Sequence, residues 1–314
     1  MCGMAAEDVR EKIAEDVSGK WMELPVTVIS AEGGGRISSR PLLMEHELDI
    51  FVDGQRHYSL RCTRMSLREL VFGRLYGDGL IENREDVEEL IFQEEESKAF
   101  VRLRRGNRET EKAKGSGEKE EREETEGTEE KEGEDQKVKR GTESKKAKEK
   151  KKGKMRILRP EEVFSLSRAF LEHEGLYGKV GSVHTCLLRC QRGGREETFV
   201  FEDMGRHHAA DKAIGFALME NISLPESILF TSGRVPLDVV QKAVRAGVFA
   251  LISKSLPTKE AVEEARRVHL LLICRAWPDS FEIYADPEGQ MAYEDRELQG
   301  ICADREAQGR REMT

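Results

Sequence analysis

Between Asn107 and Lys154 the chain carries almost no large apolar side chain; Glu, Lys, Arg, Gly, Ser and Thr fill nearly every position. Such a stretch cannot bury enough surface to offset the entropy of ordering it. It is therefore predicted to be disordered, and the folded material is forced into two parts on either side. The block is segregated, mostly acidic from Glu118 to Asp135 and mostly basic from Lys137 to Lys154. A charge run of this kind reads as a solvated, self-attracting linker or as a segment for nucleic acid or an acidic partner. A net charge of −9 over 314 residues argues against general nucleic-acid binding by the folded parts. The expected organisation is an N-terminal arm (1–20), an α+β subdomain (21–106), the charged linker (107–154), an α/β domain (155–288) and a C-terminal tail (289–314).

No stretch reaches the roughly 18 apolar residues that span a bilayer. The first residues, MCGMAAEDVREKIAEDV, are acidic and lack the basic start and apolar core of a signal peptide. Six cysteines (Cys2, Cys62, Cys186, Cys190, Cys274 and Cys302) are spaced too widely for a secreted disulfide scaffold. The expectation is a reduced, cytoplasmic protein with no membrane partner.

In the first part, Leu48–Val52 and Tyr58–Cys62 read as strands joined by the Asp53-Gly54 turn, a strong hairpin signal. Leu67, Leu70, Val71 and Leu75 recur at helical spacing after Ser66, and Phe100–Leu103 returns as a strand. Nothing here demands a catalytic role.

The second part alternates strands with helices. A helix from Pro160 to Phe170 precedes strands Val183–Leu188 and Thr198–Phe201 around Gly193-Gly194. An alanine-striped helix over Ala209–Ala217 follows, then strand Ile228–Thr231, helix Leu237–Ala246, strand Val248–Ile252, helix Lys259–Val268 and strand Leu270–Cys274. This order predicts an α/β fold, a mainly parallel sheet with helices on both faces, beside the smaller N-terminal α+β subdomain.

Ligands bind such sheets beyond the carboxyl ends of the strands. Those ends carry Asp203, Arg206 and His207; Ser232, Gly233 and Arg234; Ser253, Lys254 and Ser255; and Arg275. Any one of these reads as a solvated loop charge, but four strand ends delivering cations to one rim read as a site. Two helices begin there, after Pro236 and after Thr258, with free amides and positive dipole ends. Arginine forks and helix N-termini suit phosphate oxygens, so an anionic, nucleotide-like ligand is expected.

The segments VGSVHTCLL, FEDMGRHHAADKAIG, LFTSGRVPLDVVQKAVRAG, SKSLPTKEAVEEA and FEIY resemble, in that order, the formate dehydrogenase accessory protein family FdhD, and so do LPVTV and RCTRMSLRELVFGRLYGDGLI before the linker. The resemblance implies a cytidine-deaminase-like fold, a homodimer, and a sulfurtransferase-type sulfur carrier. Such carriers take sulfur from a cysteine desulfurase and pass it to the molybdenum or tungsten bis-pterin guanine dinucleotide cofactor of formate dehydrogenase. A GDP-like nucleotide is an expected ligand of the same site. The family's cofactor loop falls on Ile273, Cys274, Arg275, Ala276, Trp277 and Pro278, here about two residues longer and without the glycine usual after the arginine. His184 and His207 match family motifs and join the pocket.

One departure stands out. The family's sulfur-transferring CxxC pair falls near Gly141–Met155, which reads GTESKKAKEKKKGKM and holds no cysteine. Sulfur relay needs an attacking thiolate, so the alternative is a relative that binds the cofactor or a guanine nucleotide without moving sulfur. Cys186 is the candidate for a displaced relay. With His184 and Cys190 it falls at even spacing on one strand face, which reads as a thiol pair beside an imidazole, half of a zinc site, or core packing. A zinc-dependent deaminase-like hydrolase is a third reading, but the H-x-E and P-C-x-x-C signature is absent. Asp211 and Lys212 read as an internal ion pair or as ligand contacts, and His208 as solvent-facing. His46, His57, His173 and His269 have no supporting pattern.

Overall fold

The computed structural model describes residues 20–31, 33–104 and 156–292. The charged segment, the stretch 141–155, Cys2 and Cys302 lie outside the described residues. The chain begins with an antiparallel ribbon, β1 (Trp21–Ile29) and β2 (Gly35–Leu43), in register Trp21 to Leu43. A four-stranded sheet follows, ordered β4-β3-β6-β5, from β3 (His46–Val52), β4 (Gln55–Cys62), β5 (Val87–Gln93) and β6 (Lys98–Leu103). Asp53 and Gly54 turn β3 into β4 with φ of 47° and 84°, the paired positive φ a two-residue primed turn requires. Alternation in β3 buries Leu48, Ile50 and Val52 against Leu67, Leu70 and Leu75 of α1 (Leu67–Gly77).

The larger sheet holds six strands ordered β12-β11-β10-β9-β7-β8. They are β7 (His184–Arg192), β8 (Arg195–Asp203), β9 (Ile228–Thr231), β10 (Ala250–Ser253), β11 (Leu271–Cys274) and β12 (Glu282–Ala285). The helices are α2 (Pro160–Glu172), α3 (Leu176–Val180), α4 (Arg206–Met219), α5 (Leu237–Ala246) and α6 (Lys259–Arg267). Leu188, Leu229, Leu251 and Leu272 meet α4, α5 and α6 on one face, and Leu187, Phe230, Ile252 and Ile273 meet Val163, Leu166 and Phe170 of α2 on the other.

The expectation of a mainly parallel sheet is corrected. Only the β9–β10 and β10–β11 pairings are parallel; β7 pairs antiparallel with β8 and β9, and β12 antiparallel with β11, although β8 points the same way as β9 to β11. The reason is connection length. Gly193 and Gly194, at φ of 58° and 78°, join β7 to β8 directly, and residues 275–281 are too few for a crossover between β11 and β12. Reversal of β7 brings its first residue, His184, to the edge where β8 to β11 end, opposite Asp203. The ordered chain continues past Pro287, with Met291 buried and bridged to Leu158.

The two sheets are joined through α1 and α4. Helix α4 buries Ala209, Ala213, Ile214 and Ala217 in the core of the larger sheet and lays its other side on α1. A Cβ on Gly73 would fall inside the carbonyl oxygen of Asp211, and one on Gly215 inside that of Glu69. The helices therefore approach backbone to backbone. Gly73→Ala should lower stability by about 3 kcal/mol or more, a drop of roughly 5–10 °C in Tm by thermal denaturation, because the clash is with main chain that cannot swing aside. Melting within 2 °C of the parent would contradict this packing.

Candidate functional site

At the carboxyl edge of β8 to β11 the loops are stitched to one another. Ser253 Oγ donates to the Gly233 carbonyl at 2.7 Å and accepts from Ser255 N at 2.9 Å. Lys254 N donates to Thr231 O, Ala276 N to Ser253 O and Arg275 N to Ser255 O, at 3.0 to 3.1 Å. Ser232 N reaches Thr185 O at 2.9 Å, and Ser232 Oγ accepts from Thr185 N at 3.0 Å. The result is a continuous ledge. Helices α5 and α6 start from it, the latter capped by Thr258 Oγ1, which accepts from Ala261 N at 3.3 Å.

Gly233 lets its neighbours close in. A Cβ at this position would lie 3.0 Å from Arg206 Cβ and 3.5 Å from His184 Nδ1. Arg206 and His184 thus close around it, and Ser232 Oγ lies 3.5 Å from His184 Nδ1. Burial holds the His184 imidazole below its ordinary pKa, and Arg206 and Arg234 push it further down against the pull of Asp203, so it is neutral at pH 7. Arg206, Arg234 and Lys254 have no carboxylate within 4 Å among the described residues. The Nε of Arg206 is shielded from solvent and has no hydrogen-bond partner among those residues. A buried donor left unpaired costs about 1–3 kcal/mol, and an anionic oxygen would remove that cost.

The other expected site residues go elsewhere. Asp203 is fully buried and its carboxylate is used up. It pairs with Lys212 Nζ at 2.6 Å, accepts from Thr63 N and Gly205 N at 3.1 and 2.9 Å, and lies 3.3 Å from His208 Nδ1. Burial alone would raise its pKa; Lys212, His208 and the Gly205 amide outweigh that and hold it below the usual range. His208 is thus mostly buried against Asp203, with part of its ring at the cleft described below. Lys212 also donates to Thr63 Oγ1 at 2.7 Å, tying α4 to the end of β4. Asp211 pairs with Lys242 of α5 rather than with Lys212.

His207 turns away from the ledge into a separate cleft of about 450 Å³ lined by Arg74, Asp78, Lys242 and Arg245, with Nε2 3.3 Å from Asp238. Arg275, in the left-handed region at φ 47°, sends its guanidinium outward to Glu282 at 3.4 Å. In the loop after β11, expected from the sequence to hold a cofactor, Ile273, Cys274 and Ala276 are buried, Pro278 is half-buried and Trp277 is exposed.

All four described cysteines are free and buried. Burial pushes the thiols of Cys62, Cys186 and Cys274 up to about 12 and that of Cys190 to about 11. Cys186 packs beneath α4 in the core, and among the described residues no three His, Cys, Asp or Glu groups gather as metal ligands. Residues without a sequence signal also matter: Thr63 at the junction, and His173, 3.6 Å from Glu202. Glu202 in turn accepts from the Leu176 and Tyr177 amides at 2.7 and 2.8 Å, fixing the first turn of α3.

Fold and ledge define a mixed α/β protein whose strand ends gather unpaired cations. The chain belongs to the FdhD/NarQ family, whose profile matches residues 43–290. Protein FdhD of Methanocaldococcus jannaschii is 43% identical over 33% of this chain, which spans 45% of that protein. Sulfur carrier protein FdhD of Bacillus subtilis is 26% identical over 79% of this chain and 89% of its own length. A crystal structure from Desulfotalea psychrophila, provisionally described as a formate dehydrogenase accessory protein, superposes with a TM-score of 0.63. It covers 86% of this chain and 98% of its own at 21% identity, a likeness of fold. No described helix is long and apolar enough to cross a membrane.

The Asp203–Lys212 pair gives a pH signature. With its pKa depressed in the folded state, Asp203 contributes stability that is present above its unfolded value near about 3.9 and lost as pH falls through the folded value. Lys212→Met leaves a buried carboxylate unpaired and should cost about 3–5 kcal/mol at pH 7. Burial then raises the Asp203 pKa, so the deficit should shrink on acidification to pH 5. Urea unfolding at both pH values checks this; a deficit independent of pH would contradict it.

Proposed function

We propose that this chain is a formate dehydrogenase accessory protein that holds the phosphate-bearing molybdenum or tungsten bis-pterin guanine dinucleotide on the strand-end ledge. The observation that carries the reading is the trio of cations without carboxylate partners among the described residues, Arg206, Arg234 and Lys254, one of them with a buried Nε that has no partner among them. Two helix N-termini add further donors for phosphate oxygens. Relatives named as sulfur carriers support sulfur transfer toward formate dehydrogenase; a cysteine desulfurase as sulfur donor and a homodimeric assembly are added on the sequence resemblance alone.

A second reading, cofactor binding without sulfur relay, is favoured by one observation. Every described thiol is buried and held far above neutrality, where thiolate is scarce. The readings part on whether persulfide appears on this chain after incubation with a cysteine desulfurase and cysteine.

The ledge itself is tested with GDP as probe. Calorimetry should show binding that weakens with salt, and Arg206→Ala or Arg234→Ala should each cost about 1.5–3 kcal/mol, a loss of roughly tenfold or more in affinity. Equal affinity in the parent and both variants would overturn the assignment.

A further inference from the structure

A two-stranded ribbon is marginal in water unless a third strand or a helix covers one face, and β1 and β2 form such a ribbon. Alternation gives it two faces. On one, Trp21, Pro41 and Leu43 are half-buried, and β2 lies against α3. On the other, every β1 position is apolar: Met22, Leu24, Val26 and Val28. Met22 is 47% exposed, Leu24 37% and Leu42, paired with Met22, 44%. Arg40 and Arg36 stand opposite Leu24 and Val28, and neither pairs with an acid among the described residues. From Met22 to Val28 the stripe runs about 20 Å.

Residues 1–19 lie outside the described residues and join the ribbon at Lys20, whose carbonyl accepts from Met44 N at 2.9 Å. Their sequence repeats apolar side chains at helical spacing. Ala6, Val9, Ile13 and Val17 fall within about 80° of one another on a helix that turns about 100° per residue, with Glu7, Glu11 and Glu15 on the far side. Ser18 and Gly19 follow, glycine being the usual helix stop, and with Lys20 they suffice to reverse the chain into β1. A helix from Ala5 to Val17 would measure about 20 Å, the length of the stripe. Between Glu7 and Val17 five acids outnumber two bases, opposite in sign to the two arginines of the ribbon.

We propose that residues 5–17 fold back as a helix antiparallel to β1, laying Val9, Ile13 and Val17 on the Met22–Val28 stripe with acids beside Arg36 and Arg40. A tethered segment fits this face better than a second copy does. Two strands about 5 Å apart and about 20 Å long offer on the order of 200 Å² per partner, against about 800 Å² in a standard interface. Docking within one chain also avoids the loss of translational freedom that association costs. The family profile starts at residue 43, so this pairing lies in the part of the chain that precedes it.

Hydrogen exchange on the full chain, read by mass spectrometry, tests this. In the parent, amides 8–17 should exchange roughly tenfold or more slower than an unstructured peptide of the same sequence. Ile13→Asp should speed exchange in 8–17 and in the ribbon, 21–29 and 35–43, by roughly tenfold or more, with 228–274 unchanged. Ile13→Val should keep the parent pattern. Leu24→Asp should free 8–17 in turn, which a helix stable on its own would not do. Unprotected amides at 8–17 in the parent, or ribbon rates unmoved by Ile13→Asp, would overturn the proposal. So would protection of 8–17 that falls on dilution together with the sedimenting mass, because a second copy would then be what covers the face.

Discussion

A single buried ion pair organises this molecule. Asp203 ends β8, Lys212 lies two turns into α4, and Thr63 ends β4 in the other sheet; their side chains and backbones meet with no solvent contact. Two charges removed from water are tolerable only when paired and fully hydrogen-bonded, and here the Thr63 amide and hydroxyl, the Gly205 amide and the Glu202 carbonyl complete both shells. Such a knot has little tolerance for displacement. It sets the register between the two sheets, while Gly73 and Gly215 let α1 and α4 close to backbone contact around it.

The ledge inherits its geometry from that knot. With Asp203 held inward, the next turn releases α4 at Arg206, whose guanidinium is left beside His184 and Gly233 with no acid among the described residues to answer it. All three acids in the segment Glu202–Asp211 are spent on structure: Glu202 on the first turn of α3, Asp203 on Lys212, Asp211 on Lys242. The net effect is electrostatic sorting. Carboxylates go inside and the unanswered cations stay at the edge, the arrangement an anion requires and a merely stable protein does not.

Local chemistry made much of this legible. Asp53-Gly54 and Gly193-Gly194 predicted their turns, the helices after Ser66 and Pro160 start where expected, and the strand-end positions of Arg206, Ser232, Gly233, Arg234 and Lys254 follow from alternating strands and helices. Partner choice was not legible. Lys212 reaches Asp203 across turns of α4 and Thr63 across 149 positions, and no local pattern encodes a contact at that separation. His207 and His208 are adjacent yet turn to different neighbours, because residues one apart on a helix point about 100° from each other. Strand β5 escaped notice because it is an edge strand with Glu88 and Glu89 exposed and a bulge at its start, which breaks the alternation that marks a half-buried strand.

The central claim is that unanswered cations on the strand-end ledge form the ligand site, and that the histidine cleft beneath α4 and α5 does not. Amide hydrogen exchange with and without GDP addresses it directly. The account predicts protection concentrated in residues 184–186, 204–206, 232–235, 253–256 and 275–278. Protection confined to the cleft around Arg74, His207 and Lys242, with the ledge unchanged, would contradict it.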